Sequence, residues 1–307
     1  MTSTGLGTVL APALTPFTAA GEPDASRFVE HARWLMAEGC TALAPFGTTS
    51  EGNSLSSAER KVLLISLLAA GIDPGRLMPG TGLCSAPETV DLTKHAVELG
   101  CRGVLMLPPF YYKGVSDEGL YRYFAQVFER VADARLRVYL YHIPPFTQVG
   151  FSLPLIERLR RGFPEIVVGL KDSSGDWAHT KQLIEALPGF QVYSGSDASL
   201  LDNLRLGGAG CISAVANVNA RALRQIADAP SAPDAVGLQQ NATAIRKEVQ
   251  AWPLIPACKA IIGHFRKSPG WAATRAPLEP LPAAGAATLL AKLTGELGLS
   301  LQMTRPA

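Results

Sequence analysis

Cysteine is scarce in this chain and poorly spaced for anything but burial. The five cysteines, at positions 40, 84, 101, 211 and 258, form no CxxC pair and no set of metal-ligand spacings. Neither a metal site nor a disulfide framework is therefore expected, and the thiols are read as reduced. A dense block of Lys or Arg is also missing, and 28 basic against 26 acidic side chains leave a formal charge of only +2. A phosphate backbone would find no basic stripe to bind, so nucleic acid is not an expected partner. Long apolar runs are absent too. The longest, VLLISLLAAGI at 62–72, falls short of the roughly 20 residues a bilayer span requires, so no membrane partner is expected. The opening MTSTGLGTVLAP lacks the charged start and extended apolar centre of a secretory leader, which makes the cytoplasm the expected location.

What the chain does contain is rhythm. Its 307 residues, 47% of them hydrophobic, suffice for one large α/β barrel with an appendage or for two modest domains. Short segments rich in Val, Leu and Ile recur, each followed by a Gly, Ser, Thr or Pro loop and then an amphipathic stretch, which is the pattern of repeated strand-helix units. Strands are expected at 8–14, 42–46, 76–82, 103–109, 136–144, 166–172, 190–195 and 211–215, and eight is the number that closes a parallel barrel. Helix signals lie between them: Asp24 or Ser26 before a helix ending ahead of Gly39, a Ser56/Glu59 capping box before one stopping at Gly71, and Pro87 and Pro154 in first turns. After residue 217 the alternation stops and helices follow at about 219–228, 233–250, 252–267 and 284–297. The expected fold class is α/β, a (β/α)8 TIM barrel over residues 1–228 with a C-terminal helical extension over 229–307.

Barrels of this kind carry their chemistry at the C-terminal ends of the strands. The sixth expected strand ends in IVVGLKDSSGD at 166–176, where an apolar run meets Lys171 and Asp172. Such a lysine is ordinarily paired or directed to solvent. Inside an apolar barrel, however, desolvation penalises the ammonium more than the amine, and a neutral amine is a nucleophile. It can attack the carbonyl of a 2-oxo acid and form an iminium that draws electrons from the neighbouring carbon–carbon bond. The GTTS turn at 47–50 offers N–H groups and hydroxyls for the substrate carboxylate near an expected helix N-terminus. Tyr141, on the adjacent strand, is placed to shuttle protons. This chemistry needs no metal and no cofactor. His142 is read as structural, and Asp172 as a cap or a partner for a basic residue on the other side of the strand.

As an ordered set, GTTSEG at 47–52, PPFYYKGVSDEGLYRYF at 108–124, YLYHIPP at 139–145, GLKDSSGD at 169–176 and GGAGCISAVANV at 207–218 resemble the dihydrodipicolinate synthase/N-acetylneuraminate lyase family of class I pyruvate-dependent aldolases. The resemblance runs over nearly the full length. It implies a Schiff base on Lys171, a proton relay through Tyr141 and Thr48, and a pyruvyl carboxylate held by Thr48 and Thr49, with Ile212 contributing backbone contacts. It also implies a homodimer or homotetramer in which a second tyrosine, Tyr112 with Tyr111 as fallback, crosses to a neighbouring subunit. The expected partner is a small molecule, pyruvate or another 2-oxo acid.

Two departures bear on the substrate. Dihydrodipicolinate synthases carry an arginine five residues after the relay tyrosine, and here that position is Phe146, which cannot donate to a carboxylate. Neuraminate lyases carry an Asp-Glu pair after the seventh strand, and here the pair is Asp197-Ala198. The expectation is therefore an aldolase or lyase acting on a 2-keto-3-deoxy sugar acid or a 4-hydroxy-2-oxo acid, with Asp197, Ser173 and His142 as candidate contacts to the second substrate. The alternatives are dihydrodipicolinate synthase itself, a dehydratase using the same iminium, and a non-catalytic sensor or scaffold that binds a 2-oxo acid.

Overall fold

Seven of the eight expected strands form, and they join in one parallel sheet. The computed structural model describes residues 5–303. The Met1–Thr4 start of the segment read for a leader, and the last four residues of the C-terminal stretch, lie outside the described residues. The strands are β1 (Val9–Ala11), β2 (Ala42–Leu43), β3 (Val104–Met106), β4 (Val138–His142), β5 (Val167–Asp172), β6 (Gln191–Ser194) and β7 (Gly210–Ile212). They lie in the order β2-β1-β7-β6-β5-β4-β3, and every neighbouring pair is parallel.

The exception is 76–82, which forms bridges but no strand. Pro79 has no N–H to give a ladder. A Cβ at Gly80 would lie 2.5 Å from the Phe46 carbonyl oxygen, and one at Gly82 2.2 Å from the Leu107 nitrogen, so both positions accept only glycine. What survives is a bridge from Leu77 to Leu43 and another from Gly80 to Leu105. The Met78 N–H donates to Leu43 O at 2.9 Å, and the Thr81 N–H to Leu105 O at 3.0 Å. This segment thus touches both edge strands, β2 and β3, and the arrangement is TIM-barrel-like.

The helices are α1 (Ala25–Ala37), α2 (Ser57–Ala69), α3 (Ala86–Glu98), α4 (Asp117–Val131), α5 (Pro144–Thr147), α6 (Leu153–Gly162), α7 (Trp177–Ala186), α8 (Leu200–Arg205), α9 (Ala216–Asp228), α10 (Ala235–Gln250), α11 (Leu254–Phe265) and α12 (Ala283–Ala291). Their starts follow the expected chemistry. Asp24 accepts from the Arg27 N–H, Ser56 and Glu59 complete their reciprocal box, and Pro87 and Pro154 occupy first turns. The Asp24 and Ser56 caps are each worth about 1 kcal/mol. The one-turn α5 was not expected: β4 ends at His142, two residues earlier than read, because Pro144 and Pro145 cannot continue a ladder.

Alternation along the strands divides the apolar side chains into two layers. Outward-facing Val9, Ala11, Leu43, Val104, Met106, Leu140, Leu170 and Cys211 pack against the helices. Inward-facing Leu10, Ala42, Leu105, Tyr139, Tyr141, Tyr193 and Ile212 form a second cluster within the sheet's curve. Gly169 on β5 makes room for that inner layer, since a Cβ there would come within 2.6 Å of the Tyr139 ring.

One buried histidine makes the fold acid-sensitive. His31 is fully buried, with Nε2 3.0 Å from Asn217 Oδ1 and its ring 5.6 Å from Trp34 and 4.9 Å from Trp271. Burial lowers its pKa to about 3, against the hydrogen bond to Asn217 and with help from the nearby Arg266 charge. His142 is likewise lowered to about 4, chiefly by burial. The unfolded chain therefore takes up protons that the folded chain refuses. Stability is complete above pH 6.5 and erodes as the pH falls through the window toward 3–4, by at most about 1.4 kcal/mol per pH unit for each group. The melting temperature is expected to drop between pH 6.5 and 4, and His31→Gln should flatten that slope. An unchanged slope in the variant would remove His31 as a cause.

Candidate active site

Lys171 and Tyr141 are register partners across β5 and β4, so their side chains leave the sheet on the same, inner face. Lys171 Nζ donates to the Tyr141 hydroxyl at 3.2 Å, and that hydroxyl lies 3.2 Å from Thr48 Oγ1, to which it donates. Nζ also sits 4.3 Å from the centroid of the Tyr141 ring. Lys171 is only 4% exposed and Tyr141 2%. All three residues line a cavity of about 770 Å³, together with Thr49, Ser173 and Ile212.

Lys171 makes no ion pair among the described residues. A second buried lysine provides the contrast: Lys259 on α11 is salt-bridged to the equally buried Glu51 and donates to Ala273 O at 2.8 Å. Burial pulls the Lys259 pKa down to about 8 while Glu51 opposes the shift. An unpaired buried amine beside a hydroxyl chain can act as a nucleophile with a proton donor at hand. An amine clasped by a carboxylate cannot.

The 47–50 turn is built under strain and strapped down. Phe46 and Glu51 hold positive φ of 64° and 54°, a conformation that non-glycine residues rarely adopt. Lys259 holds the Glu51 carboxylate, and the Arg275 N–H donates to Glu51 Oε2 at 2.9 Å. The Arg275 guanidinium in turn grips Glu59, with 2.7 Å between Nη2 and Oε1. This strap ties the turn to residues beyond 250. Within the turn, the backbone N–H groups of Thr48 and Thr49 have no hydrogen-bond partner among the described residues. They remain available to an anion or a carbonyl. The expected helix N-terminus, however, is not beside them: a short turn at Gly52–Ser54 intervenes, and α2 begins only at Ser57.

Other expected contacts fall elsewhere. Asp197 is fully buried and does not line the cavity. It accepts from Ser213 Oγ and from Arg246 Nη1 at 2.7 Å. His142 faces outward, as an even step from Leu140 requires. Its Nδ1 accepts from the Phe151 N–H at 3.0 Å, and its ring stacks on His179 at 4.8 Å. Asp172 also turns outward, accepting from Thr180 Oγ1 at 2.7 Å and lying 3.0 Å from His179 Nδ1. Burial raises the Asp172 pKa, but these bonds and the Ser174 N–H outweigh it and hold the carboxyl below its usual value. Ligand atoms of His142, Asp172 and His179 lie within 4.8 Å of one another, although both hydrogen-bonded carboxylate oxygens and the stacked rings are already engaged internally. Tyr112 and Tyr111 are 73% and 72% exposed and stack edge to face, away from the cavity of their own chain. Phe146, 72% exposed, lines the cavity at its mouth.

Sequence reasoning missed Arg246, which lines the same cavity from α10. It flanks the buried stripe of Ala242, Ile245 and Val249, the pattern of an ordinary charge on an amphipathic helix. No local signal marks it, because its partners Asp197 and Ser213 are distant in sequence.

The profile of the dihydrodipicolinate synthetase family matches residues 5–288, and the chain belongs to that family. It is thus an enzyme of the aldolase and lyase class. It is similar to a DapA-like lyase of Chloroflexus aurantiacus, 34% identical over 89% of this chain and 91% of the relative. Among solved structures it is similar to dihydrodipicolinate synthase from Agrobacterium tumefaciens, with a TM-score of 0.86, 34% identity, and coverage of 93% and 98% of the two chains. It is also similar to YagE, a prophage protein of the dihydrodipicolinic acid synthase family from E. coli K12 in complex with pyruvate, with a TM-score of 0.86, 28% identity, and coverage of 96% and 99%.

Proposed function

We propose that this chain is a Schiff-base-forming class I aldolase or lyase that breaks or makes a carbon–carbon bond next to a pyruvyl group carried on Lys171. Its substrate is a 2-keto-3-deoxy sugar acid or a 4-hydroxy-2-oxo acid. The observation that carries this reading is the unbroken chain from Lys171 Nζ through the Tyr141 hydroxyl to Thr48 Oγ1, at 3.2 Å per step. In the cleavage direction the amine adds to C2, water leaves, and an iminium forms. Tyr141, having given its proton to the departing carbinolamine hydroxyl, takes the C4 hydroxyl proton as phenolate while the C3–C4 electron pair flows into the iminium. An aldehyde departs, the enamine takes a proton at C3, and hydrolysis releases pyruvate and the free lysine.

In the same reading, the free N–H groups and hydroxyls of Thr48 and Thr49 hold the carboxylate, the Ile212 backbone contacts the pyruvyl end, and Ser173 contacts the second substrate. Tyr112, with Tyr111 as fallback, enters the site of a second copy in a homodimer or homotetramer. Residues 76–82 count as the eighth strand of a closed (β/α)8 barrel over residues 1–228, with the helices after 229 as its extension. A second reading, condensation of pyruvate with aspartate semialdehyde, is favoured by the dihydrodipicolinate synthase relative. Phe146 supplies no donor for the semialdehyde carboxylate, so this reading requires another cation on the cavity wall.

The test is borohydride reduction with saturating pyruvate, followed by intact mass. One reduced pyruvyl adduct per chain is the expected result, and an unmodified chain would overturn the proposal. Free pyruvate released from 2-keto-3-deoxygluconate separates cleavage from dehydration, and turnover only with aspartate semialdehyde selects the second reading.

A further inference from the structure

Arg246 has a restrained guanidinium with one edge unused. Nη1 donates to Asp197 Oδ1 at 2.7 Å and to Ser213 Oγ at 3.1 Å, and Ser213 Oγ itself donates to the same carboxylate. The side chain is 15% exposed, whereas Asp197 is wholly buried. Asp197 therefore fixes the orientation of the arginine from behind the cavity wall without reaching the cavity itself. Nε and Nη2, which share the side edge of the guanidinium plane, make no hydrogen bond among the described residues, and neither is among the fully buried unpaired atoms. Two parallel N–H donors in a rigid plane match the two oxygens of a carboxylate.

The position suits the far end of a substrate anchored on Lys171. Ser213 directly follows Ile212 at the end of β7, and β6 lies between β7 and β5. Two strand spacings thus separate Ser213 from Lys171, on the order of 10 Å. Lys247 also lines the cavity beside Arg246, as do the acidic residues Asp176 and Asp202, while the Asp197 charge is spent on orienting the arginine. Phe146, on the same cavity wall, supplies no donor itself.

We infer that Arg246 is a specificity-determining residue that binds a second, distal carboxylate, so that the preferred substrate is a 2-oxo acid carrying a carboxylate at the end remote from its ketone. This inference rests on the Schiff-base reading of Lys171. The pyruvyl carboxylate goes to the 47–50 turn, the ketone to Lys171 and the distal carboxylate to the Nε/Nη2 edge, with Asp197 as its positioning residue.

The experiment measures the concentration at which 2-oxo acids half-saturate borohydride trapping of the full chain, read by intact mass. The pairs are 2-oxoglutarate against 2-oxopentanoate and 2-oxoadipate against 2-oxohexanoate, which differ in the distal carboxylate. The wild type is expected to prefer at least one diacid by tenfold or more. Arg246→Lys keeps a cation for Asp197 and so protects the fold, but loses the planar edge; it should reduce the preference to threefold or less, and Arg246→Gln should do the same. A wild type that traps each pair equally, or variants that keep the preference, would overturn the inference while leaving Lys171 chemistry intact. A wild type that traps none of the oxo acids, pyruvate included, defeats the Schiff-base reading and this inference with it.

Discussion

Lys171→Ala abolishes the pyruvate adduct and lowers turnover by on the order of 10^4-fold or more, the scale expected when a covalent nucleophile is removed. The expectation follows from how the two buried lysines differ. Lys259 is neutralised by Glu51, so truncating it strands a buried carboxylate and threatens the fold, at about 3–5 kcal/mol for such a broken pair. Lys171 has no carboxylate to strand. Its only side-chain hydrogen bond among the described residues goes to the Tyr141 hydroxyl, which keeps Thr48 as a partner. Lys171→Ala should therefore fold and melt close to wild type while losing its chemistry. Trapping and melting measured on one preparation decide the matter. An adduct that persists in the variant would move the nucleophile elsewhere, and a collapse in melting temperature would make Lys171 a structural residue.

The placement of Lys171 and Tyr141 was legible in the sequence because a period of two fixes which residues share a face once a strand is recognised. YLYHIPP and IVVGLKD are apolar enough to be recognised, and their pairing brings position 141 opposite 171. The same rule sends His142 and Asp172 outward. Asp172 obeys it as expected, and the same even step from Leu140 rules out His142 as a contact to the second substrate. Asp197 escaped for a different reason. It lies past the end of β6, in the short turn Asp197–Ser199, where alternation has ceased and only the position of Ser213 and Arg246 decides its direction. Arg246 was invisible for the converse reason, since a helix pattern predicts a buried stripe but not which flanking charge bends into a cavity. The 76–82 segment shows the limit of composition: its apolar content announces a strand, while Pro79, Gly80 and Gly82 announce that the ladder is interrupted.

Tyr141→Phe is the second large effect, and it separates acid–base work from packing. In the proposed reaction Tyr141 gives its proton to the leaving carbinolamine hydroxyl and then, as phenolate, takes the C4 hydroxyl proton. Losing a positioned general acid–base costs about 10^2–10^4-fold in rate. Phenylalanine keeps the ring that packs among the inner-layer side chains and lies 4.3 Å from Nζ, so the cavity shape and the melting temperature should hold. Thr48 loses one hydrogen-bond donor but stays half-buried beside the cavity, where water can replace the missing group. The adduct should still form with pyruvate, though more slowly, because the amine remains. Turnover should fall much further than trapping at saturating pyruvate. Equal losses in the two readouts would assign Tyr141 to amine placement alone, and turnover within threefold of wild type would remove it from the proton path.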